Sequence, residues 1–288
     1  MTVAYRDAPD AAFTDVFIGE EGGLMKKNRL RELLNEGKPT MGTHVLSTWP
    51  GIVEVIGSTG AFDYIEYVGE YSSFSLEQLD NFGRTIELFP DMSAMMKVEE
   101  QTRGFIATRA IDAGIQNVLF TDCRSAADVR ECIRYVRAET PEAGGIHGYG
   151  MRRINTYGGG STLEEWTKAM DAVVIAIMIE KRGAIENLEE ILSVKGVDMV
   201  QFGPADYSIS IGKPGQTRSP EVQKAHQQMI EMALKKGVAP RVEIAGFEQA
   251  KPYVEMGVRH FCTGWDTGVM AQWCRRQAEG MKEILPAK

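Results

Sequence analysis

Apolar residues recur along this chain in two alternating rhythms. Short runs rich in β-branched residues, such as Ala172–Ile179, are bounded by polar residues and read as buried parallel strands. Between them lie stretches with apolar residues at helical spacing, such as Leu79, Phe82, Ile86 and Phe89. The pattern predicts strands over 41–46, 62–68, 93–98, 117–121, 172–179, 199–202, 239–244 and 260–264. It predicts helices over 75–89, 104–113, 125–137, 219–237, 247–256 and 267–285, with Ile185, Leu188 and Leu192 marking another. A short amphipathic helix, 26–36, precedes the first strand and shows Leu30, Leu33 and Leu34 on one face. Strand then helix, repeated eight times over about 250 residues, is the pattern of a (β/α)8 barrel, an α/β fold of the TIM type. A doubly wound sheet is the alternative, but no GxGxxG follows the first strand.

Two stretches fall outside that rhythm. Residues 1–25 are polar, contain Gly22-Gly23, and read as an N-terminal extension or arm; 26–288 then forms one barrel domain. Residues 138–168 carry Gly144-Gly145, Gly148, Gly150 and Gly158-Gly159-Gly160. That is long for a connection and predicts a functional or oligomer-contacting loop.

Charge and composition narrow the function. A net charge of −8 argues against nucleic acid or an anionic membrane surface as the main partner. No apolar run approaches the length of a membrane span, and the N-terminus has neither the basic nor the apolar region of a signal peptide. Cys123, Cys132, Cys262 and Cys274 show no CxxC spacing, so reduced thiols in a cytoplasm are expected.

The candidate chemistry centres on Glu180 and Asp206. Each follows the end of a predicted strand, and they stand 26 residues apart, about one βα repeat. Equivalent ends of neighbouring parallel strands lie side by side, so the two carboxylates can share one hard cation through oxygen. Helix N-caps or solvated charges are the plainer reading of such residues. His44 on the first strand is either a packed core histidine or a replacement base. His226 and His260 read as structural.

The chain resembles the HpcH/HpaI family of metal-dependent class II aldolases, which act on 4-hydroxy-2-oxo acids. The resemblance rests on Phe62-Asp-Tyr-Ile-Glu-Tyr-Val-Gly-Glu70, Ala110-Ile-Asp-Ala-Gly114, Ile179-Glu180 with Ala184-Ile-Glu-Asn-Leu188, Gly203-Pro-Ala-Asp206 and Gly264-Trp-Asp-Thr267, and spans about residues 26–285. It implies a pyruvate-type (β/α)8 barrel in a homo-oligomer, a hexamer with exchanged terminal helices. It implies a divalent metal, Mg²⁺ or Mn²⁺ with Co²⁺ as a further option, held by Glu180 and Asp206. The metal would chelate a 2-oxo acid and stabilise the enolate formed when a 4-hydroxy-2-oxo acid is cleaved to pyruvate and an aldehyde. By the same resemblance Gly203, Ala205 and Asp206 form the turn that holds the oxoacid carboxylate.

The departures from the family pattern cluster at the expected site. The family's Glu-His pair becomes Glu70-Tyr71, so the proton-transfer shell of Glu70, Tyr71 and Asp112 has no imidazole. Tyrosine is a weak base at neutral pH. A substrate-gripping arginine becomes Lys97, and His147 stands in the glycine loop where the family carries an arginine. Lys97 and His147 are therefore expected to contact substrate, and Tyr71, Glu70, Asp112 and His44 to carry protons. An altered reaction on a chelated oxoacid, such as decarboxylation, or binding without catalysis are the alternatives.

Overall fold

The computed structural model describes residues 26–158 and 160–285. The expected arm, 1–25, lies outside the described residues. Eight parallel strands close into a barrel in chain order: β1 (Thr40–Val45), β2 (Tyr64–Val68), β3 (Ser93–Val98), β4 (Asn117–Phe120), β5 (Val174–Ile179), β6 (Met199–Phe202), β7 (Ala239–Ile244) and β8 (His260–Trp265). β1 pairs with both β2 and β8, which leaves no sheet edge. The expected (β/α)8 barrel is the fold observed.

Strand alternation sorts the side chains into two populations. One set faces the helices and forms the main core, including Ile65, Met96, Val118, Ile177, Val200 and Val242. The other faces inward: Tyr64, Met95, Leu119, Ala176, Met178, Met199 and Cys262 form a second apolar cluster, closed by Leu30. The helix Arg29–Asn35 brings Leu30 there and plugs the N-terminal end of the barrel. Asn28 caps it through the Arg31 N–H and binds the Asn117 side chain at 2.8 Å, so the plug is tied to β4. Gly42 leaves room for the Tyr64 ring; a Cβ there would lie 2.3 Å from it.

Helix starts follow their caps. Ser75 and Ser125 each close a capping box ahead of Leu76–Ile86 and Ala126–Val136. Two helices that the periodicity does not show are Pro50–Ser58 and Pro204–Ser210, both with proline at the start. The long loop is shorter than expected, because the helix Leu163–Ala172 begins inside it and takes Ala172 from the predicted strand. The last helix, Asp266–Ile284, has no buried residue and exposes Val269, Met270, Trp273 and Met281.

Candidate active site

β5 ends on Ile179, and the next residue, Glu180, turns its carboxylate into the mouth of the barrel, where it is 2% exposed. Its Oε1 accepts the backbone N–H of Asp122 at 2.9 Å. Gly203, just past β6, makes room for the other oxygen: a Cβ at that position would sit 2.6 Å from Glu180 Oε2. Burial pushes the Glu180 carboxyl up to about 7, only partly opposed by the Asp122 N–H and by Lys97. This group needs a neighbouring cation to be fully ionised at neutral pH.

Asp206 stands in the first turn of Pro204–Ser210, beside β6, with a side chain 42% exposed. Lys181 reaches across to it at 3.0 Å and to Asp122 at 2.7 Å. One lysine thus ties the loops after β4, β5 and β6 together. Asp122 takes a left-handed backbone conformation, φ 59°, which aspartate tolerates better than most residues and which presents its N–H to Glu180.

Lys97 points inward near the end of β3, beside the loop after β2. Its Nζ lies 2.6 Å from Glu70 and donates to the Tyr71 hydroxyl at 3.1 Å. Burial works against its charge, but Tyr71, Glu70 and then Glu180 more than reverse that, so Lys97 stays protonated well above neutrality. That argues against a nucleophilic amine. Burial raises the Tyr71 phenol above its ordinary value despite Lys97. The ring is 59% exposed, stacks on Trp265 at 6.3 Å between centroids and lies over Lys97.

The periodicity hides a third group, a layer of buried polar side chains inside the barrel. Arg241 on β7 is fully buried, bonds the Tyr64 hydroxyl at 2.7 Å and Gln201 at 2.5 Å, and pairs with Glu66 on β2. His44 lies above them, stacked on Trp265 at 4.4 Å, with Nδ1 2.9 Å from the Gly264 carbonyl. Its Nε2 has no hydrogen-bond partner and sits 3.8 Å from both Glu66 and Glu243. Burial opposes its charge, yet Cys262, Glu66 and Glu243 together raise it to about 9. Its ring lies under Trp265 and is 1% exposed. The available signal was charge within apolar strands: Glu66 in Tyr-Ile-Glu-Tyr-Val, and Arg241 and Glu243 in Ala-Pro-Arg-Val-Glu-Ile.

Residues 79–272 match the family model for HpcH/HpaI aldolase/citrate lyase. The chain belongs to this family. It is 29% identical over 246 residues to a 4-hydroxy-2-oxo-heptane-1,7-dioate aldolase of Escherichia coli, an alignment covering 85% of this chain and 92% of that one. An HpcH/HpaI aldolase from Desulfitobacterium hafniense superposes with a TM-score of 0.80 at 25% identity, covering 90% of this chain and 98% of the other. A family protein from Burkholderia cenocepacia, 22% identical with a TM-score of 0.80 over 89% of this chain and all of the other, shares the fold.

Against the expectation from the family pattern, Asp112 does not join Tyr71 and Glu70 within one chain. It closes the helix Arg103–Asp112, which returns the chain to the start of β4, at the opposite end of the barrel from Glu180. His147 goes with it: Nε2 lies 3.3 Å from Asp112 Oδ1, and the backbone pairs with Arg137 and Ala138 at the end of the next helix. Arg109 and Arg152 also face Asp112. Glu70, Tyr71 and Lys97 are brought together, Glu180 and Asp206 flank a common loop cluster, and His44 sits deeper on the opposite wall. His226 stacks on Phe202 at 4.8 Å, and His260 bonds Thr40 at the barrel base, both structural as expected.

Glu180 and Asp206 offer hard carboxylate oxygens, the donor type that suits Mg²⁺ or Mn²⁺. A buried acid raised to about 7 fits a site completed by a cation. His44, Glu66 and Cys262 form another group with ligand atoms within 4.8 Å of one another. There the Arg241 guanidinium already neutralises Glu66, which disfavours a second cation.

Proposed function

We propose that the chain is a divalent-metal-dependent carbon–carbon lyase that cleaves a 4-hydroxy-2-oxo acid to pyruvate and an aldehyde. The observation that carries this reading is the buried Glu180 carboxylate beside Asp206 at the C-terminal end of a (β/α)8 barrel, where such barrels place their chemistry. A divalent cation there, held by Glu180 and Asp206, would supply a Lewis acid for the 2-oxo carboxylate unit. Gly203 keeps the approach open because it has no Cβ, and the Gly203–Asp206 turn holds the substrate carboxylate. Lys97 adds positive charge beside Glu180 and fixes Tyr71. Its donation to the Tyr71 oxygen leaves the phenolic proton free to pass to and from the substrate's 4-oxygen. Glu70 holds Lys97 in place.

The family's oligomers suggest a homo-oligomer here, and the exposed apolar residues of Asp266–Ile284 support exchange of that helix. Among the described residues no helix is long and apolar enough to cross a membrane, which is compatible with a cytoplasmic enzyme. The direct assay is pyruvate release from a 4-hydroxy-2-oxo acid with Mg²⁺ or Mn²⁺. Activity lost with chelator and in Glu180→Gln supports the reading. Release of CO₂ from an oxoacid without aldol cleavage would replace it with decarboxylation.

A further inference from the structure

The wall beside the metal pair differs in character from the rest of the mouth. Glu180 and Asp206 follow β5 and β6; β7, paired with β6, carries Glu243, and β8 and β1 next to it carry Trp265 and His44. Glu243 is the last inward-facing residue of β7, two positions beyond the buried Arg241, and its side chain is 38% exposed. Its Oε1 accepts the Trp265 indole N–H at 3.0 Å, while Oε2 has a long contact, 3.3 Å, from Gln201 and lies 3.8 Å from His44 Nε2. Beneath it His44 is 1% exposed and covered by Trp265, so the wall presents the carboxylate to the mouth and not the imidazole.

Lys97 is paired with Glu70, Lys181 with Asp122 and Asp206, and Arg241 with Glu66 below the surface of the mouth. A substrate tail that reaches β7 meets the accepting carboxylate of Glu243. A distal carboxylate there would face like charge and lose solvation. A hydroxyl or ammonium would find an acceptor.

Building on the metal-site reading above, we infer that Glu243 selects the far half of the substrate: the enzyme takes 2-oxo acids whose distal end carries a hydrogen-bond donor and excludes those ending in a second carboxylate. The dioate in the name of the Escherichia coli relative would thus not be the substrate type here.

Binding of unreactive 2-oxo acids tests this without requiring turnover. Calorimetry with the Mn²⁺-loaded full chain compares 6-hydroxy-2-oxohexanoate, 2-oxohexanoate and 2-oxoadipate, with pyruvate as the reference lacking a distal group. The hydroxy acid is expected to bind tightest and 2-oxoadipate about tenfold or more weaker than 2-oxohexanoate. Glu243→Gln, which keeps the acceptor for Trp265, should bring 2-oxoadipate to within about threefold of 2-oxohexanoate. If 2-oxoadipate binds at least as well as 2-oxohexanoate to wild type, or if Glu243→Gln leaves the discrimination unchanged, the inference is overturned. Absence of Mn²⁺-dependent pyruvate binding would instead strike the metal-site reading, and this inference would fall with it.

Discussion

The backbone N–H of Asp122 meets the Glu180 carboxylate at 2.9 Å, from a residue with φ 59°. The loop after β4 thereby adopts an uncommon conformation to steady a buried acid on β5. Even so, burial dominates and Glu180 holds its proton up to about pH 7. Between about 4.5, its ordinary value, and about 7, the folded state keeps a proton that the unfolded chain has released. The stabilisation from this group is present below that window and lost as pH rises through it, by up to about 3 kcal/mol. Metal-free protein should therefore show a falling contribution to Tm across this range, Glu180→Gln should remove that contribution, and Mn²⁺ should restore stability to wild type only. Denaturant melts at several pH values, with and without Mn²⁺, measure it.

Lys181 competes with any cation for Asp206. Its ammonium lies against Asp206 and Asp122. Lys181→Met should tighten Mn²⁺ binding by about tenfold, because the same carboxylates then face the metal without a resident cation. Unchanged or weaker binding in a titration followed by electron paramagnetic resonance would show that Lys181 positions Asp206 instead.

Removing Arg241 should destabilise more than removing the whole pair. Arg241→Met leaves Glu66 charged and unpaired in the barrel interior, at a cost of about 3–5 kcal/mol. The double variant Glu66→Leu, Arg241→Met should recover much of this. Equal losses in urea melts of the single and double variants would contradict a mutually compensating pair.

Tyr71 in place of histidine should shift the pH dependence of turnover. Its phenol is raised above the ordinary tyrosine value by burial, so the ionised form remains scarce at neutral pH. With saturating metal, retro-aldol kcat should keep climbing from about pH 7 to about pH 9 and show no plateau of the histidine type. Tyr71→Phe should lower kcat on the order of 100-fold and flatten the profile. A wild-type plateau below pH 8 would assign the proton to another group.

The barrel was legible because its strands are short apolar runs separated by amphipathic helices, and β3, β6 and β7 fall where the pattern places them. Glu180 and Asp206 were legible for a related reason: in a parallel barrel, residues just beyond consecutive strands become neighbours. The placement of Asp112 and His147 within one chain was not legible, because sequence motifs do not say which end of a helix faces the mouth; the helix after β3 runs away from the mouth and ends on Asp112. Glu66 and Arg241 went unnoticed because pairing across the barrel, between β2 and β7, leaves no spacing in the sequence. Lys181 and Asp122 have the same character, since their meeting depends on two loops and one left-handed residue.

The central claim is that Glu180 and Asp206 hold a metal that activates a 2-oxo acid. Deuterium exchange at C3 of pyruvate, followed by NMR in D₂O with Mn²⁺ removed before detection, tests it most directly. The account predicts Mn²⁺-dependent exchange in wild type that disappears in Glu180→Ala. Exchange that persists in the variant, or none in wild type despite metal-dependent pyruvate binding, would contradict it.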